Sequence, residues 1–199
     1  MPLQSSVRVA KKPLLDDEVQ FIRSWIEKPL RTGAVMPSSK VLARTMARHV
    51  DPNAEGPVIE LGPGTGPVTA ALVAQGIHPS RLVLVEFNPD FCRLLSRRYP
   101  EATVVSGDAY RLRHVLEDKL EAPAAAIVSS LPLLTKPPRA RLRLMADVVH
   151  LMRKGAPFVQ FTYGLLPPIP KNLASLAAEA SNLIWLNLPP ARVWVYRSR

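Results

Sequence analysis

From residue 57 onward, short apolar runs alternate along the chain with longer segments in which apolar residues recur at helical spacing. The short runs are rich in valine and predict buried β-strands at residues 58–61, 81–85, 103–105, 125–129 and 158–162. The longer segments predict helices near residues 68–75, 89–98, 110–120 and 138–153. Strands and helices in regular alternation form a parallel sheet with helices on both faces, so the pattern predicts an α/β fold.

The last part of the chain has a different pattern. Residues 183–187 and 192–196 are mostly apolar, and Pro189 and Pro190 lie between them, which predicts an antiparallel hairpin at the end of the sheet. Five parallel strands followed by a terminal hairpin resemble the seven-stranded, Rossmann-like sheet of class I methyltransferases. We therefore assign residues 51–199 to one mostly parallel α/β domain of that kind.

Residues 1–50 precede the predicted sheet and contain an amphipathic segment with Arg8, Lys11 and Lys12 before it. The apolar residues of this segment, which fall within an arc of about 160° on a helical wheel, are Leu14, Leu15, Val19, Phe21, Ile22, Trp25 and Ile26. An apolar helix face with aromatic residues and a basic flank is typical of a helix that lies in a membrane interface. The same pattern suits a helix that packs onto the domain as a lid, and the residues leave both interpretations open.

The charge of the chain narrows the class of partner. Lys and Arg number 26 against 16 Asp and Glu, and the net charge of +10 favours a polyanion, either nucleic acid or an anionic membrane. Residues 1–50 carry +5 and residues 133–199 carry +8, whereas residues 51–132 carry −3. The single cysteine, Cys92, excludes an internal disulfide. No apolar run reaches the roughly 20 residues of a membrane-spanning helix, and the first residues lack a secretory signal, so we expect a cytoplasmic protein.

A glycine-rich segment, ELGPGTG at residues 60–66, connects the first predicted strand to the helix that follows it. Glycines let the backbone turn sharply and let a ligand approach it closely. The spacing G-x-G-x-G, with an acidic residue two positions earlier, differs from the G-x-G-x-x-G of dinucleotide loops. It resembles the first motif of S-adenosylmethionine-dependent methyltransferases. The residues of this segment expected at the cofactor are Glu60, Gly62, Gly64, Thr65 and Gly66.

Polar residues also follow the second, third and fourth predicted strands. Glu86 can accept two hydrogen bonds from ribose hydroxyls, and Asp108 can accept one from the adenine amino group. Ser130 follows the fourth strand, where methyl acceptors are held. All of these lie at carboxyl ends of parallel strands, the edge where open α/β sheets bind ligands. The joint pattern predicts a site for S-adenosylmethionine, which leaves as S-adenosylhomocysteine. Its further predicted cofactor residues are Glu86, Phe87, Asn88, Asp108, Ala109 and Ser129.

Over nearly its whole length the chain resembles the short bacterial phospholipid N-methyltransferases, which make phosphatidylcholine from phosphatidylethanolamine. The resemblance is carried by TGAVMPSS at residues 32–39, ELGPGTG, residues 129–134 and QFTYG at residues 160–164. It implies that Pro37, Ser38 and Ser39 help to close the cofactor pocket. It also implies that the N-terminal helix docks on the inner face of the membrane. The residues expected to make that contact are Lys11, Lys12, Phe21 and Trp25.

An RNA or DNA adenine-N6 methyltransferase is the alternative, because ribosomal RNA adenine dimethylases share the ELGPGTG loop. Enzymes that act on a flipped base stack it between aromatic or apolar groups and hydrogen-bond its edge. The adenine-N6 family ends its fourth strand with Asn or Asp, prolines and an aromatic residue, where this chain has Ser129, Ser130 and Leu133. Those dimethylases also append a helical domain after the sheet, whereas this chain is expected to end with the hairpin. We therefore expect a phospholipid substrate and no nucleic-acid partner.

Tyr163, just past the fifth predicted strand at the same edge, is the expected catalytic residue. A phenol can accept a hydrogen bond from an amine, and its ring face can hold a methylated ammonium. The alternative is that Tyr163 only packs under the proline-rich segment that follows. Lys171 is the expected contact for the lipid phosphate, with Arg139 and Arg141 as competitors. The histidines are scattered along the chain, and no metal site is predicted.

Overall fold

The computed structural model describes residues 37–163, 166–169, 176–185, 187 and 190–198, with the backbone alone for residues 37–39. One sheet contains the strands β1 (Val58–Leu61), β2 (Leu82–Glu86), β3 (Thr103–Ser106), β4 (Ala126–Ser129), β5 (Pro157–Tyr163), β6 (Leu176–Ala180) and β7 (Ala191–Ser198). The helices in these residues are α1 (Pro37–Ala47), α2 (Pro67–Ala74), α3 (Pro89–Arg98), α4 (Leu112–Leu116) and α5 (Pro138–Leu151).

The strands lie in the order β3-β2-β1-β4-β5-β7-β6, and β1 to β5 pair in parallel. β3 is the outermost strand on one side of the sheet, and the chain crosses from it to β4, which lies on the other side of β1. The strand order therefore reverses beside β1. Such a switch point is where an open α/β sheet holds its ligand, outside the carboxyl ends of the strands. The five predicted parallel strands agree with the observed ones to within one residue at each end, and the predicted class I methyltransferase sheet is confirmed.

The predicted terminal hairpin is wrong in its first strand. β6 and β7 are antiparallel, but residues 183–187 belong to the connection between them, where Ile184 forms an isolated bridge to Ala191. The sequence of β6, LAAEA, lacks the β-branched and aromatic residues that favour strands. It is extended because it pairs with β7, which in turn pairs with β5, and this tertiary pairing has no local signal in the sequence. The second predicted strand, residues 192–196, lies within β7.

Helices cover both faces of the sheet. On one face α4 and α5 bury Leu112, Leu144 and Val148 against the strands, and on the other α1, α2 and α3 bury residues such as Met46 and Leu72. We call the second face the α2 face. The helix α1 was not predicted, and its buried residues belong to the same core as the sheet.

Side chains alternate between the two faces along each strand. In β1, Ile59 and Leu61 lie in the layer with α4 and α5, so Glu60 lies on the α2 face. In β5, Val159, Phe161 and Tyr163 pack with the layer of the α2 face. The sheet therefore presents Glu60 and Tyr163 on one side.

The predicted helix over residues 110–120 is shorter in the structure. A 3-10 turn, Ala109–Arg111, precedes α4, which ends at Leu116. Glu117 and Asp118 follow, and two carboxylates at the negative end of the helix dipole disfavour a longer helix. None of the helices in the described residues is long and apolar enough to cross a membrane. The amphipathic segment predicted over residues 14–26 lies outside those residues.

Candidate functional site

Three hydrogen bonds join the loops at the carboxyl ends of the central strands. The N–H of Gly62 donates to the carbonyl of Val85 at 2.9 Å, and the N–H of Ser130 donates to that of Leu61 at 2.9 Å. The N–H of Gly107 donates to the carbonyl of Glu86, also at 2.9 Å. These bonds continue the strand pairing into the loops after β1, β2, β3 and β4. The structure therefore brings together the four segments in which sequence analysis predicted cofactor residues.

The glycine-rich loop after β1 turns through positive φ angles at Gly62, Gly64 and Gly66, at +66°, +57° and +83°. A Cβ on Gly62 would lie 3.0 Å from Cδ2 of Leu131, and one on Gly66 would lie 3.1 Å from Cδ2 of Leu95. A Cβ on Gly64 would meet nothing within 4 Å. Two glycines thus let the loop pack against the protein, and the middle one borders open space where a ligand can approach the main chain.

Glu86 anchors this loop. Its Oε2 accepts a hydrogen bond from the N–H of Gly64 at 2.9 Å, and its Oε1 accepts one from the N–H of Asn88 at 2.8 Å. An ionised carboxylate has about four acceptor sites, so each oxygen retains one for a ligand hydroxyl. The side chain of Asn88 accepts a hydrogen bond from the N–H of Asp90 at 2.8 Å and so caps α3, with Pro89 as its first residue.

A cavity of about 330 Å³ opens between the ends of β1, β2 and β3. Of the predicted cofactor residues it is lined by Gly62, Glu86, Phe87, Asp108 and Ala109. Phe87 is 76% exposed, so its ring is available to a ligand that enters the cavity. Asp108 lines the cavity, and its Oδ1 also accepts a hydrogen bond from the N–H of Tyr110 at 2.9 Å.

Five further residues line the same cavity and were not predicted as site residues, namely Val85, Gly107, Tyr110, Leu131 and Lys136. The Nζ of Lys136 lies 4.7 Å from the centre of the Tyr110 ring, in the range of a cation–π contact. Burial, with the nearby charge of Asp108, raises the pKa of Tyr110. Its hydroxyl is buried and has no hydrogen-bond partner within the described part of the chain. The contact links loops separated by 26 residues, so no local pattern predicts it.

Glu60 lies beneath the loop and is fully buried. Its Oε2 accepts a hydrogen bond from the hydroxyl of Thr69 at 2.7 Å, and its Oε1 has no partner among the residues the structure describes. Burial raises the pKa of Glu60 to about 7, against the effect of the Thr69 hydrogen bonds and with a small contribution from the charge of Glu86. A buried carboxylate that lacks a partner is costly, and a nearby cation would offset that cost.

The residues present fit S-adenosylmethionine. The open space at Gly64 lets the ligand approach the backbone, and Glu86 retains acceptor sites for ribose hydroxyls. Asp108, which also lines the cavity, can accept from an adenine amino group. Glu60 places a buried carboxyl group below the loop, with a pKa of about 7 that a nearby cationic ligand would lower. Thr65 belongs to the loop, and its carbonyl accepts a hydrogen bond from Arg98 at 2.9 Å.

The loop after β4 forms the other side of the site. Ser129 is fully buried, and its Oγ accepts a hydrogen bond from the N–H of Leu131 at 3.3 Å. Ser130 is half-buried, so it is the serine of this loop that a substrate can reach. Gln160, on β5, was not predicted as a site residue. It is fully buried, and its Nε2 donates to the carbonyl of Leu131 at 3.0 Å, which holds the loop to β5.

Tyr163 ends β5 and lies two strands from β1, roughly 10 Å away at the usual strand spacing. Its ring packs edge-to-face on Phe161, with 5.2 Å between the ring centres, and burial raises its pKa. No described residue of the chain hydrogen-bonds its hydroxyl. The structure therefore shows that the ring of Tyr163 packs against the protein, and its hydroxyl remains available to a substrate.

The backbone of Pro37, Ser38 and Ser39 forms the first turn of α1. His49 and Asp51, just after α1, line a cavity with Gly155 and Arg197 at the opposite edge of the sheet from the glycine-rich loop. The last turn of α1 therefore lies near the amino ends of the parallel strands. Because α1 is roughly 16 Å long at about 1.5 Å per residue, its first turn lies toward the carboxyl ends, where the site is. Lys171, Phe21, Trp25, Lys11 and Lys12 lie outside the described residues.

Comparisons with known proteins identify the family. The profile of the ribosomal RNA adenine dimethylase family matches residues 36–137. An ornithine lipid N-methyltransferase from Singulisphaera acidiphila is 31% identical over 152 residues, which cover 74% of this chain and 79% of that protein. Ribosomal RNA small subunit methyltransferase A from Anaeromyxobacter dehalogenans is 31% identical, with 92% of this chain and 66% of that protein covered. The same enzyme from a Synechococcus species is 35% identical, with 47% and 31% covered.

Solved structures share the fold at low identity. The O-methyltransferase from Bacillus cereus in complex with SAH superposes with a TM-score of 0.62 at 14% identity, covering 96% of this chain and 93% of that one. TrmN from Thermus thermophilus superposes with a TM-score of 0.61 at 15% identity, covering 83% and 51%. Because the family profile spans just over half of the 199 residues and includes the loops around the cavity, the chain belongs to the ribosomal RNA adenine dimethylase family of methyltransferases, with S-adenosylmethionine as its cofactor.

Proposed function

We propose that this methyltransferase acts on a lipid amine, that of phosphatidylethanolamine or its mono- and dimethyl derivatives, and so produces phosphatidylcholine. The observation that carries the proposal is the character of the loop after β4, which faces the methyl acceptor in this fold. The loop offers the half-buried Ser130 and the apolar side chain of Leu131, while Ser129 is buried and occupied. Residues 130–137 contain no aromatic ring on which a base could stack.

A second candidate, methylation of adenine in ribosomal RNA, is favoured by the family profile and by the ribosomal relatives. The net charge of +10 suits either polyanion. Gln160 bonds the loop after β4 through its Nε2, and its side-chain oxygen is buried without a described partner. It is not exposed to a base edge, so recognition of a flipped adenine would need a rearrangement. The lipid relative, of which this chain covers 79%, supports the first candidate.

The cofactor supplies a methyl group on a sulfonium, which an amine lone pair attacks in line. The task of the protein is to place the two reactants and to exclude water, and positioning of this kind supplies much of the rate. Glu86 and Asp108 are proposed to hold the nucleoside, and the loop with Gly64 its amino-acid end. The head-group amine must reach the site deprotonated, because an ammonium has no lone pair.

Tyr163 is proposed to orient that amine. Since burial raises its pKa, the phenol is neutral at physiological pH and acts by hydrogen bonding rather than as a phenolate base. Its ring face also suits the methylated ammonium that forms. Pro37, Ser38 and Ser39, at the start of α1, are proposed to cover the cofactor on the same face of the sheet.

Contact with the membrane is proposed to be peripheral, at the inner face of the cytoplasmic membrane, through Phe21, Trp25, Lys11 and Lys12. Lys171 is proposed to bind the lipid phosphate. Arg141 is a weaker competitor for that role, because its Nη1 donates to the carbonyl of Pro168 at 2.8 Å. A Phe21→Ser, Trp25→Ser double variant should cosediment less with anionic vesicles, and unchanged cosedimentation would leave the N-terminal helix as a lid.

The acceptor is tested with the purified protein and cofactor labelled in its methyl group. Separate incubations contain vesicles of phosphatidylethanolamine with phosphatidylglycerol, vesicles of ornithine lipid, or unmethylated small-subunit ribosomal RNA. We expect label in phosphatidylethanolamine, and Tyr163→Phe should lower that rate while leaving the affinity for S-adenosylhomocysteine unchanged. Label in ornithine lipid alone would show that ornithine lipid, and not phosphatidylethanolamine, is the acceptor. Label in RNA alone would establish the second candidate.

A further inference from the structure

Besides Phe87 at the cofactor cavity, two large apolar side chains stand exposed near the carboxyl end of β5. Trp185 is 75% exposed and Leu166 is 49% exposed. Trp185 follows Ile184, which bridges to Ala191, and Ala191 pairs with Tyr163 at the end of β5. The connection between β6 and β7 is thereby placed level with the carboxyl end of β5.

Leu166 is held at the same edge. Its carbonyl accepts a hydrogen bond from the hydroxyl of Thr162 at 3.3 Å, and that hydroxyl also accepts from Nε1 of Trp194 at 2.8 Å. The segment around Leu166 is also joined to α5, because Arg141 donates to the carbonyl of Pro168. We call the surface made by Leu166, Trp185 and the first turn of α5 the apolar edge.

The charges beside the apolar edge have one sign. Lys136 and Arg139 flank the start of α5, which has no acidic residue in its first turn. No Asp or Glu occurs in the described residues 129–143, 157–163, 166–169, 181–185 or 190–194. Of the carboxylates at this end of the sheet, Glu60 is buried beneath the glycine-rich loop, and Glu86, Asp90 and Asp108 lie in the other half, at or after the ends of β2 and β3.

Cations at the amino end of a helix oppose its dipole, so Lys136 and Arg139 do not serve the stability of α5. They do complement an anionic partner. Exposed tryptophan and leucine suit the boundary between head groups and acyl chains of a bilayer. The neighbouring cations suit the phosphates of an anionic head-group layer. An apolar patch rimmed by one sign of charge marks a docking surface more often than a solvated face.

We propose that the apolar edge is a membrane-contact surface, in which Trp185 and Leu166 enter the head-group layer of an anionic phospholipid bilayer while Lys136 and Arg139 contact lipid phosphates. The proposal rests on the lipid function proposed above. It turns the end of the sheet with Ser130 toward the bilayer, so that a lipid amine reaches the site without leaving the membrane completely. It is separate from the N-terminal helix and involves different residues.

The insertion of Trp185 is tested by fluorescence. The chain has three tryptophans, and Trp194 is buried at 2% exposure, so a Trp25→Phe variant leaves Trp185 as the exposed reporter. Vesicles of phosphatidylcholine and phosphatidylglycerol that carry brominated acyl chains should quench its emission and shift it to the blue. A further Trp185→Phe change should remove the effect. Emission that does not respond to brominated vesicles would overturn the proposal.

The consequence for activity is tested with Leu166→Ser, Trp185→Ser. We expect binding to anionic vesicles to weaken by about 10- to 100-fold, from the loss of one large and one medium apolar contact. Transfer to phosphatidylethanolamine in vesicles should fall with it, whereas transfer to a short-chain phosphatidylethanolamine below its micelle concentration should be unchanged. Val149→Ser, a 36% exposed residue near the far end of α5, is the matched control.

The outcomes separate the two proposals. If the wild-type protein methylates no lipid but Trp185 is still quenched, the proposed function fails and the membrane surface stands. If the double variant binds vesicles as the wild type does, or loses affinity for ribosomal RNA instead, the membrane surface is refuted whichever lipid is methylated.

Discussion

The main-chain N–H of Gly64 donates a hydrogen bond to Oε2 of Glu86 at 2.9 Å, across 22 residues of sequence. One carboxylate therefore fixes the shape of the glycine-rich loop and also lines the cofactor cavity. Because the same group does both, its loss should disturb the loop and the ligand together. A hydrogen bond to an ionised acceptor contributes more than a neutral one, about 1.5–3 kcal/mol.

Glu86→Gln should lower the affinity for S-adenosylhomocysteine by about 10- to 100-fold, as measured by titration calorimetry. The amide keeps the volume of the carboxyl group, but its NH₂ would face the N–H of Gly64 or of Asn88, donor against donor. Asp90→Asn, which removes one exposed carboxylate from the same edge, is the matched control and should bind the ligand normally. Equal affinities for wild type and Glu86→Gln would show that Glu86 does not contribute to cofactor binding.

Gly64→Ala should reduce cofactor binding by about tenfold or more, because a methyl group would enter the space where the ligand approaches the backbone. Gly155 offers a matched control at the opposite edge of the sheet. Both glycines have positive φ, +57° and +77°, and a Cβ at either would meet nothing within 4 Å. Both alanine variants should therefore lose about 1 kcal/mol of stability from backbone strain. A similar loss of ligand affinity in Gly155→Ala would show that strain alone explains the result at Gly64.

The parallel part of the fold is predictable because β1 to β5 are short apolar runs rich in valine, and β1, β2 and β4 are buried throughout. The motif at residues 60–66 is predictable because its glycines must adopt positive φ, a requirement that the sequence displays directly. β6 is not predictable in this way. Its alanines carry little preference, whereas the apolar residues 183–187 resemble a strand and instead leave Trp185 exposed in a connection.

The site shows the same division. Glu86 and Asp108 end strands, so their positions follow from the topology alone. Lys136 over Tyr110, and Gln160 bonded to the loop after β4, depend on which loops meet in space. Neither pair has a fixed spacing in the sequence. The strand predicted over residues 58–61 is buried as expected, and its burial includes Glu60, although an acidic residue is usually exposed.

Glu60 should make the stability of the fold depend on pH. Its pKa is about 7 in the native protein, above the usual value of 4.5, so the native state binds more protons than the unfolded state between those values. The free energy of unfolding should therefore decrease as pH rises from about 4.5 to 7 and then level off. A shift of this size corresponds to about 3 kcal/mol.

The measurement compares urea unfolding of the wild type and Glu60→Gln at pH 5 and pH 8. The variant cannot ionise, so its stability relative to the wild type should increase by about 2–3 kcal/mol between the two pH values. Glu55→Gln, at a nearby exposed position, is the control and should show no such change. A difference between wild type and Glu60→Gln that is constant with pH would mean that Glu60 is ionised throughout this range.

Gln160→Leu should lower kcat by about tenfold while leaving the affinity for S-adenosylhomocysteine unchanged. The amide of Gln160 donates to the carbonyl of Leu131 at 3.0 Å, and this bond fixes the main chain of the loop after β4. The side chain of Leu131, which lines the cofactor cavity, is placed separately, against Gly62. Leucine fills a similar volume but leaves the carbonyl without that donor, so the loop should lose its fixed position relative to β5. Gln75→Leu, at the exposed end of α2, is the control for a loss of amide alone. If ligand affinity falls in parallel with kcat, Gln160 supports the whole edge of the sheet and has no separate role in placing the acceptor.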